Sequence, residues 1–175
     1  MGLDFTAAVS RAQAGDAKAF AELYSLVYKD LYRIALLNLN NEHDASDVVS
    51  DTVLDAYKSI RKLREPDAFK AWIVKILTIK IKNKRKEYSE INNRRRDLET
   101  LDESVEQENQ PEIDYGGIEI AEGFSKLSSE ERLMLSLSIV SGYKSEEIAT
   151  MLGMNANTVR SKAARAREKL KQYLE

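Results

Sequence analysis

Apolar residues recur at three- and four-residue spacing along most of this 175-residue chain, the period of amphipathic helices rather than strands. The spacing predicts a short opening helix over residues 4–13 that ends near Gly15. Asp16 then suits the cap of a long helix whose stripe is Phe20, Leu23, Tyr24, Val27, Leu31, Ile34 and Ala35. Residues 38–44 are polar and read as a break, with the lone His43 in a turn. The next helix is expected to bury Ala45, Val48, Val49, Thr52, Val53, Ala56, Tyr57 and Ile60. Pro66 fits the first turn of a further helix, on which Phe69, Trp72, Ile73, Ile76 and Leu77 are spaced as core residues. That helix runs on into Lys80–Lys86, where the apolar stripe gives way to charge.

From about Tyr88 the period disappears. Residues 89–117 read as a flexible acidic linker, with some helix where it begins; it contains Pro111 and ends in Tyr115-Gly-Gly117. The period returns after it, and predicts helices near residues 118–126, 129–141, 145–152 and 155–174. The expected fold is all-α, with two small helical domains, residues 1–88 and 118–175, joined by the linker. The last two helices have the spacing of a helix-turn-helix. Ser145 begins a short helix, small Ala149 permits close approach, Gly153 supplies a positive φ, and Asn155 caps the longer basic helix that follows.

Charge sharpens this division. Residues 1–60 hold five basic and nine acidic residues, whereas residues 61–96 hold thirteen basic and four acidic. Residues 97–120 carry nine acidic residues and no basic one, and residues 121–175 carry nine basic and seven acidic. The near-neutral total of −2 therefore hides a basic surface suited to phosphates beside an acidic tether. The chain has no Cys, which excludes disulfides and thiolate metal sites. No apolar run reaches membrane length and Met1-Gly-Leu-Asp4 lacks a signal-peptide pattern, so a cytoplasmic protein without membrane insertion of its own is expected. No Gly-rich phosphate loop, metal-ligand set or acid–base pair stands out from the periodicity, and neither an enzyme nor a cofactor is expected.

Taken together, the chain resembles the extracytoplasmic-function (ECF) sigma factors of bacterial RNA polymerase. Residues 11–16 and 19–24 resemble the opening of their promoter-melting domain, sigma region 2, and Asp47 to Tyr57 resembles the helix that grips the polymerase clamp. Phe69 to Ile76 resembles the next helix, and Glu146 to Ala149 with Thr158 to Lys162 resembles sigma region 4. A helix-turn-helix alone is common to many activators; both halves in this order are specific. Ser50 stands where the family usually has Gln, Val53 where it has an aromatic residue, and Ile79 and Asn83 where it has Asn and Asp. Ser128 replaces a common Pro.

The resemblance implies core RNA polymerase and promoter DNA as partners, and an anti-sigma protein as regulator. Helical spacing puts Val159, Ala163, Ala166 and Leu170 on the packed face of the last helix, so Asn157, Arg160, Ser161, Ala164 and Arg165 face outward with Lys162 at their flank. Arg and Asn side chains can pair with base edges and Ala with a thymine methyl. These residues, with Thr158 and with Lys144 and Ser145 nearer the phosphates, are the expected minus-thirty-five contacts; Arg167 and Lys169 also suit phosphates. The expected minus-ten contacts are Arg61, Lys62 and Arg64 in a loop, and Lys75, Thr78, Ile79, Lys82, Asn83, Arg85 and Lys86 on a helix. Asp47, Ser50, Asp51, Leu54 and Asp55 form the outward face expected to meet the polymerase.

Overall fold

The computed structural model describes residues 4–99 and 118–175. Among these residues the chain is helical throughout, with helices α1 (Phe5–Gln13), α2 (Ala17–Leu39), α3 (Glu42–Ser59), α4 (Phe69–Glu99), α5 (Ile118–Ser125), α6 (Ser129–Ser141), α7 (Ser145–Leu152) and α8 (Ala156–Leu174). Short 3₁₀ turns at Ile60–Lys62 and Pro66–Ala68 connect α3 to α4. The helix starts follow local chemistry. Asp4 accepts the N–H of Ala7, Asp16 those of Lys18 and Ala19, Asn41 that of Asp44, Ser128 that of Glu131, and Asn155 that of Asn157, each satisfying a donor that the first turn leaves free. Ser128, in the place of a family Pro, thereby gains a capping role that Pro could not fill.

Two expectations are corrected. The polar break expected over residues 38–44 shrinks to Asn40 and Asn41: Asn40 ends α2 in the left-handed region at φ 52°, and Asn41 caps α3 at once. Asn38 therefore lies inside α2, and His43 lies in the first turn of α3. Tyr57, expected in the core, is 48% exposed and meets Phe20 edge-on. α7 begins at Ser145 as expected, and Lys144 holds the cap position without a side-chain bond. The 31-residue α4 carries its helix through residues 89–99, the part of the expected linker where some helix was anticipated, and the rest of that linker lies outside the described residues.

The first four helices bury Leu23, Leu31, Ile34, Phe69, Ile73, Leu77 and Ile81 in one core, and Trp72 packs partly buried against it. The C-terminal helices contribute to that core as well as forming their own. Leu133, Met134 and Leu137 of α6 join the first core, whereas Phe124, Leu127, Leu135, Ala166 and Leu170 form a second. The α2–α6 seam thus joins the two halves.

At its centre is a polar group of four side chains. Asn38 (2% exposed) donates from Nδ2 to the Ser136 Oγ at 2.9 Å and to the Ile34 carbonyl at 2.7 Å. Its Oδ1 accepts from Arg85 Nη2 at 2.5 Å, and Arg85 Nη1 reaches the Ser129 carbonyl at 2.9 Å. Arg132 donates to the carbonyls of Leu127 at 3.1 Å and Asn38 at 3.4 Å. Burial, with Arg132 nearby, lowers the Arg85 pKa to about 10, so Arg85 remains charged at neutral pH and needs these acceptors.

Two stability outcomes are expected. Asn38→Ala strips Arg85 of its side-chain acceptor and should cost about 1–3 kcal/mol in urea unfolding; an unchanged midpoint would show that the seam is not held by this group. Gly123 lies where an added Cβ would run into Leu170 Cδ1 and come within 3.3 Å of Tyr173 Cδ1. Gly123→Ala should therefore displace the Leu170 side chain from the second core and lower stability by about 1–3 kcal/mol, read as a lower thermal midpoint.

Candidate nucleic-acid and polymerase interface

The helix-turn-helix is built by α7 and α8. Gly153 ends α7 at φ 65°, and the N–H of Met154 bonds the Ala149 carbonyl at 2.9 Å. This tight turn brings α8 against α7 with Ile148, Ala149, Val159 and Ala163 buried between and around them. With Val159, Ala163, Ala166 and Leu170 turned inward, Asn157, Thr158, Arg160, Ser161, Ala164 and Arg165 are all exposed. Lys144 is exposed at the start of α7, and Ser145 beside it is half-buried.

Several cations of α8 are engaged within the domain. Arg160 Nη2 lies 2.6 Å from Glu146 Oε1, and its Nη1 donates to Asn157 Oδ1 at 2.8 Å. Lys162 pairs with Glu130, and Lys169 with Glu131 at 2.8 Å. Lys169 holds the Glu131 carboxyl below the usual range, despite an opposing effect of burial. Arg167 bonds the Ser138 hydroxyl, and Arg165 donates to the Ser161 carbonyl. The more exposed pairs, Arg160–Glu146 and Lys162–Glu130, contribute little stability, and their cations remain available for exchange with phosphate.

In the N-terminal half, α3 and α4 leave an open groove of about 390 Å³ between the end of α3 and the middle of α4. It is lined by Lys58, Lys62, Lys80, Ile76 and Ile79, together with Asp55 and Ser59. Of the residues expected to meet the minus-ten strand, Lys62 and Ile79 come together here; Ile79 is 50% exposed. Arg61, Arg64, Lys75, Lys82, Asn83 and Lys86 are exposed around the same half, although Arg61 is drawn to the Gln13 carbonyl at 3.2 Å. Gln13 in turn fixes this loop, donating to the carbonyls of Ile60 at 2.9 Å and Leu63 at 2.8 Å.

Two expected contacts are displaced. Thr78 is 1% exposed and its hydroxyl bonds the Lys75 carbonyl at 2.8 Å, so it belongs to the core side of α4. Arg85 is held in the α2–α6 seam rather than presented outward. Lys58 and Lys80 are not among the expected minus-ten contacts. They join the groove only because α3 packs on α4, where Lys80 Nζ approaches Asp55 Oδ2 at 2.6 Å.

On α3, Asp47, Ser50 and Asp51 are exposed, Leu54 is 55% exposed, and Asp55 is half-buried beside Lys80. His43, Asp44 and Asp47 place ligand-capable atoms within 4.8 Å of one another. Asp44, however, accepts the Tyr88 hydroxyl and lies 3.7 Å from Lys84, and His43 lies 3.2 Å from Asp47. Asp44 is thus already engaged by the Tyr88 hydroxyl and the Lys84 ammonium. Burial, followed by that bond to Asp44, raises the Tyr88 pKa, so the phenol remains a neutral donor.

A helix-turn-helix with an outward polar helix, joined to a helical bundle with a lysine-lined groove, defines a two-domain helical protein of the sigma-factor architecture. The profile of the ECF sigma factor family matches residues 3–175, and the chain belongs to that family: it is a transcription initiation factor that works with RNA polymerase. It is 29% identical over 142 residues to RNA polymerase sigma factor SigV of Bacillus subtilis, which covers 79% of this chain and 80% of that relative. It is 30% identical over 180 residues to the ECF RNA polymerase sigma-E factor of Salmonella typhimurium, covering 91% and 88%. Among solved structures it is similar to the sigma factor RpoE in complex with the anti-sigma factor NepR from Bartonella quintana. That match has a TM-score of 0.69 and 25% identity, and covers 90% of this chain and 98% of the other.

Proposed function

We propose that this sigma factor divides promoter reading between its two halves. α8 reads the minus-thirty-five element in the major groove through Asn157, Arg160, Ser161, Ala164 and Arg165, with Lys144, Ser145, Thr158 and Lys162 toward the backbone. The observation that carries this reading is the complete inward turn of Val159, Ala163, Ala166 and Leu170, which leaves one continuous polar face outward. The N-terminal half holds the melted minus-ten strand along the groove and the adjoining Arg61, Arg64, Lys75, Lys82, Asn83 and Lys86, a cationic path of the kind that single strands require. Arg85 joins that path only when α6 leaves α2.

Asp47, Ser50, Asp51 and Leu54 meet core polymerase, with Asp55 at the edge of that surface. Residues 1–88 and 118–175 act as the two functional domains, tethered by residues 89–117. The protein acts in the cytoplasm, without catalysis of its own, and an anti-sigma protein holds it inactive. Support for that last role comes from the complex of its structural relative RpoE with an anti-sigma factor.

Run-off transcription from fragmented genomic DNA, with core polymerase and with or without the protein, tests the whole reading. Discrete transcripts are expected only when the protein is present; their absence, together with no stable polymerase complex, would overturn it. Arg160→Ala with Arg165→Ala should lower transcription from those promoters at least tenfold, as expected from losing base contacts, while polymerase binding stays intact. Asp51→Arg should have the opposite profile, weakening co-elution with core polymerase and leaving the thermal unfolding midpoint unchanged. Unaltered polymerase affinity in that variant would mean that the clamp-facing surface lies elsewhere.

A further inference from the structure

The ion pair between Arg160 and Glu146 differs from the other ion pairs described on α8. Lys162 and Lys169 reach acidic residues of α6, whereas Arg160 reaches back across the turn to the first turn of α7. Its guanidinium is held from two sides: Glu146 Oε1 accepts from Nη2 at 2.6 Å, and Asn157 Oδ1 accepts from Nη1 at 2.8 Å. Both members of the ion pair are more than half exposed, at 55% and 62%, so the clamp stands on the outer surface of the helix-turn-helix and not in the core. The Glu146 carboxyl is held below the usual range by its own backbone N–H and then by Arg160, so it is an anion at neutral pH.

An anion on a DNA-facing surface repels phosphate, and its presence beside the recognition arginine therefore calls for a positive role. A guanidinium on a flexible side chain will otherwise settle on the nearest phosphate, which carries no sequence information. Acceptors on Nη1 and Nη2 fix its plane and leave its other N–H donors unused by these two contacts. The Asn157 amide is oriented by the same contact, since its oxygen is turned toward Arg160 and its NH₂ faces away as a donor.

We propose that Glu146 is a positioning residue for promoter recognition. It accepts the Arg160 hydrogen bond and so withholds the guanidinium from phosphate, so that Arg160 and Asn157 present donors to the acceptor atoms of a base edge. This rests on the proposed reading of the minus-thirty-five element by α8, and deepens it by assigning discrimination to a residue that itself touches no base.

The test uses the full chain with core polymerase and the promoter giving the strongest run-off transcript, together with fragments in which each minus-thirty-five base pair is changed in turn. Discrimination is the ratio of transcript from the original to that from each changed promoter. Arg160→Ala should lower this ratio about tenfold at one or two positions. Glu146→Ala should lower it at the same positions and raise binding to unrelated DNA, while Glu146→Gln, which retains an acceptor oxygen, should restore most of the ratio. Adding Glu146→Ala to Arg160→Ala should produce no further loss, since the two residues act through one contact.

If Arg160→Ala changes no ratio, the reading of α8 and this inference fail together. If Arg160→Ala lowers the ratio and Glu146→Ala does not, or Glu146→Gln fails to rescue, the inference alone is overturned. A uniform loss on all promoters with a lowered thermal midpoint would make the pair a staple between α7 and α8, and would also overturn it.

Discussion

The arrangement of the whole molecule depends on a hydrogen-bonded group buried in an otherwise apolar seam. Leu133, Met134 and Leu137 supply non-directional attraction between α6 and α2, which would tolerate many sliding registers. Asn38 does not, because its amide must meet Ser136, Ile34 and Arg85 at once. Among the described residues no buried polar side-chain atom lacks a partner. A shift of α6 along α2 would strand several of them, at a cost that apolar contact alone cannot impose. The polar group therefore sets the register, and the apolar residues around it supply most of the attraction.

The same seam links fold to function. Arg85 lies at the end of the basic run on α4, where a cation could follow a nucleic-acid backbone, yet here its guanidinium serves Asn38 and the Ser129 carbonyl. One side chain cannot satisfy both sets of acceptors. The packed arrangement and a fully extended cationic surface on α4 are thus alternatives, and whatever separates α6 from α2 also releases a charge. On α8 the cations are engaged differently. Glu130 and Glu146 are more than half exposed, so a phosphate can replace them without breaking the core, whereas Glu131, the partner of Lys169, is largely covered.

Much of this could be read along the chain. The positions of α5 to α8, the capping by Asp16 and Asn155, the left-handed Gly153 and the inward face of α8 all follow from residues within a turn or two of one another. The misplacements have a common origin. Residues 38–44 look like a loop because they are polar, but Asn38 is paid for by partners from α4 and α6 that are distant in sequence. Thr78 looked available because a hydroxyl in a basic run suits phosphate; its bond to the Lys75 carbonyl allows it to be buried instead. Gly123 carried no signal at all, since the tight approach of Leu170 comes from a helix nearly fifty residues away.

The sequence by itself determined where the helices lie, which face of each is apolar, and that the C-terminal pair forms a helix-turn-helix with a cationic outer face. Periodicity, caps and helix-ending residues act over a few positions and can be read without knowing any neighbour. Only the tertiary structure decided which apolar faces meet, that Lys58 and Lys80 flank one groove with Lys62 and Ile79, that Arg85 is withdrawn into the seam, and that Glu146 holds Arg160. Those outcomes depend on the complementarity of surfaces far apart in the chain, where one buried hydrogen-bond set or one missing Cβ selects among packings that local pattern leaves equal.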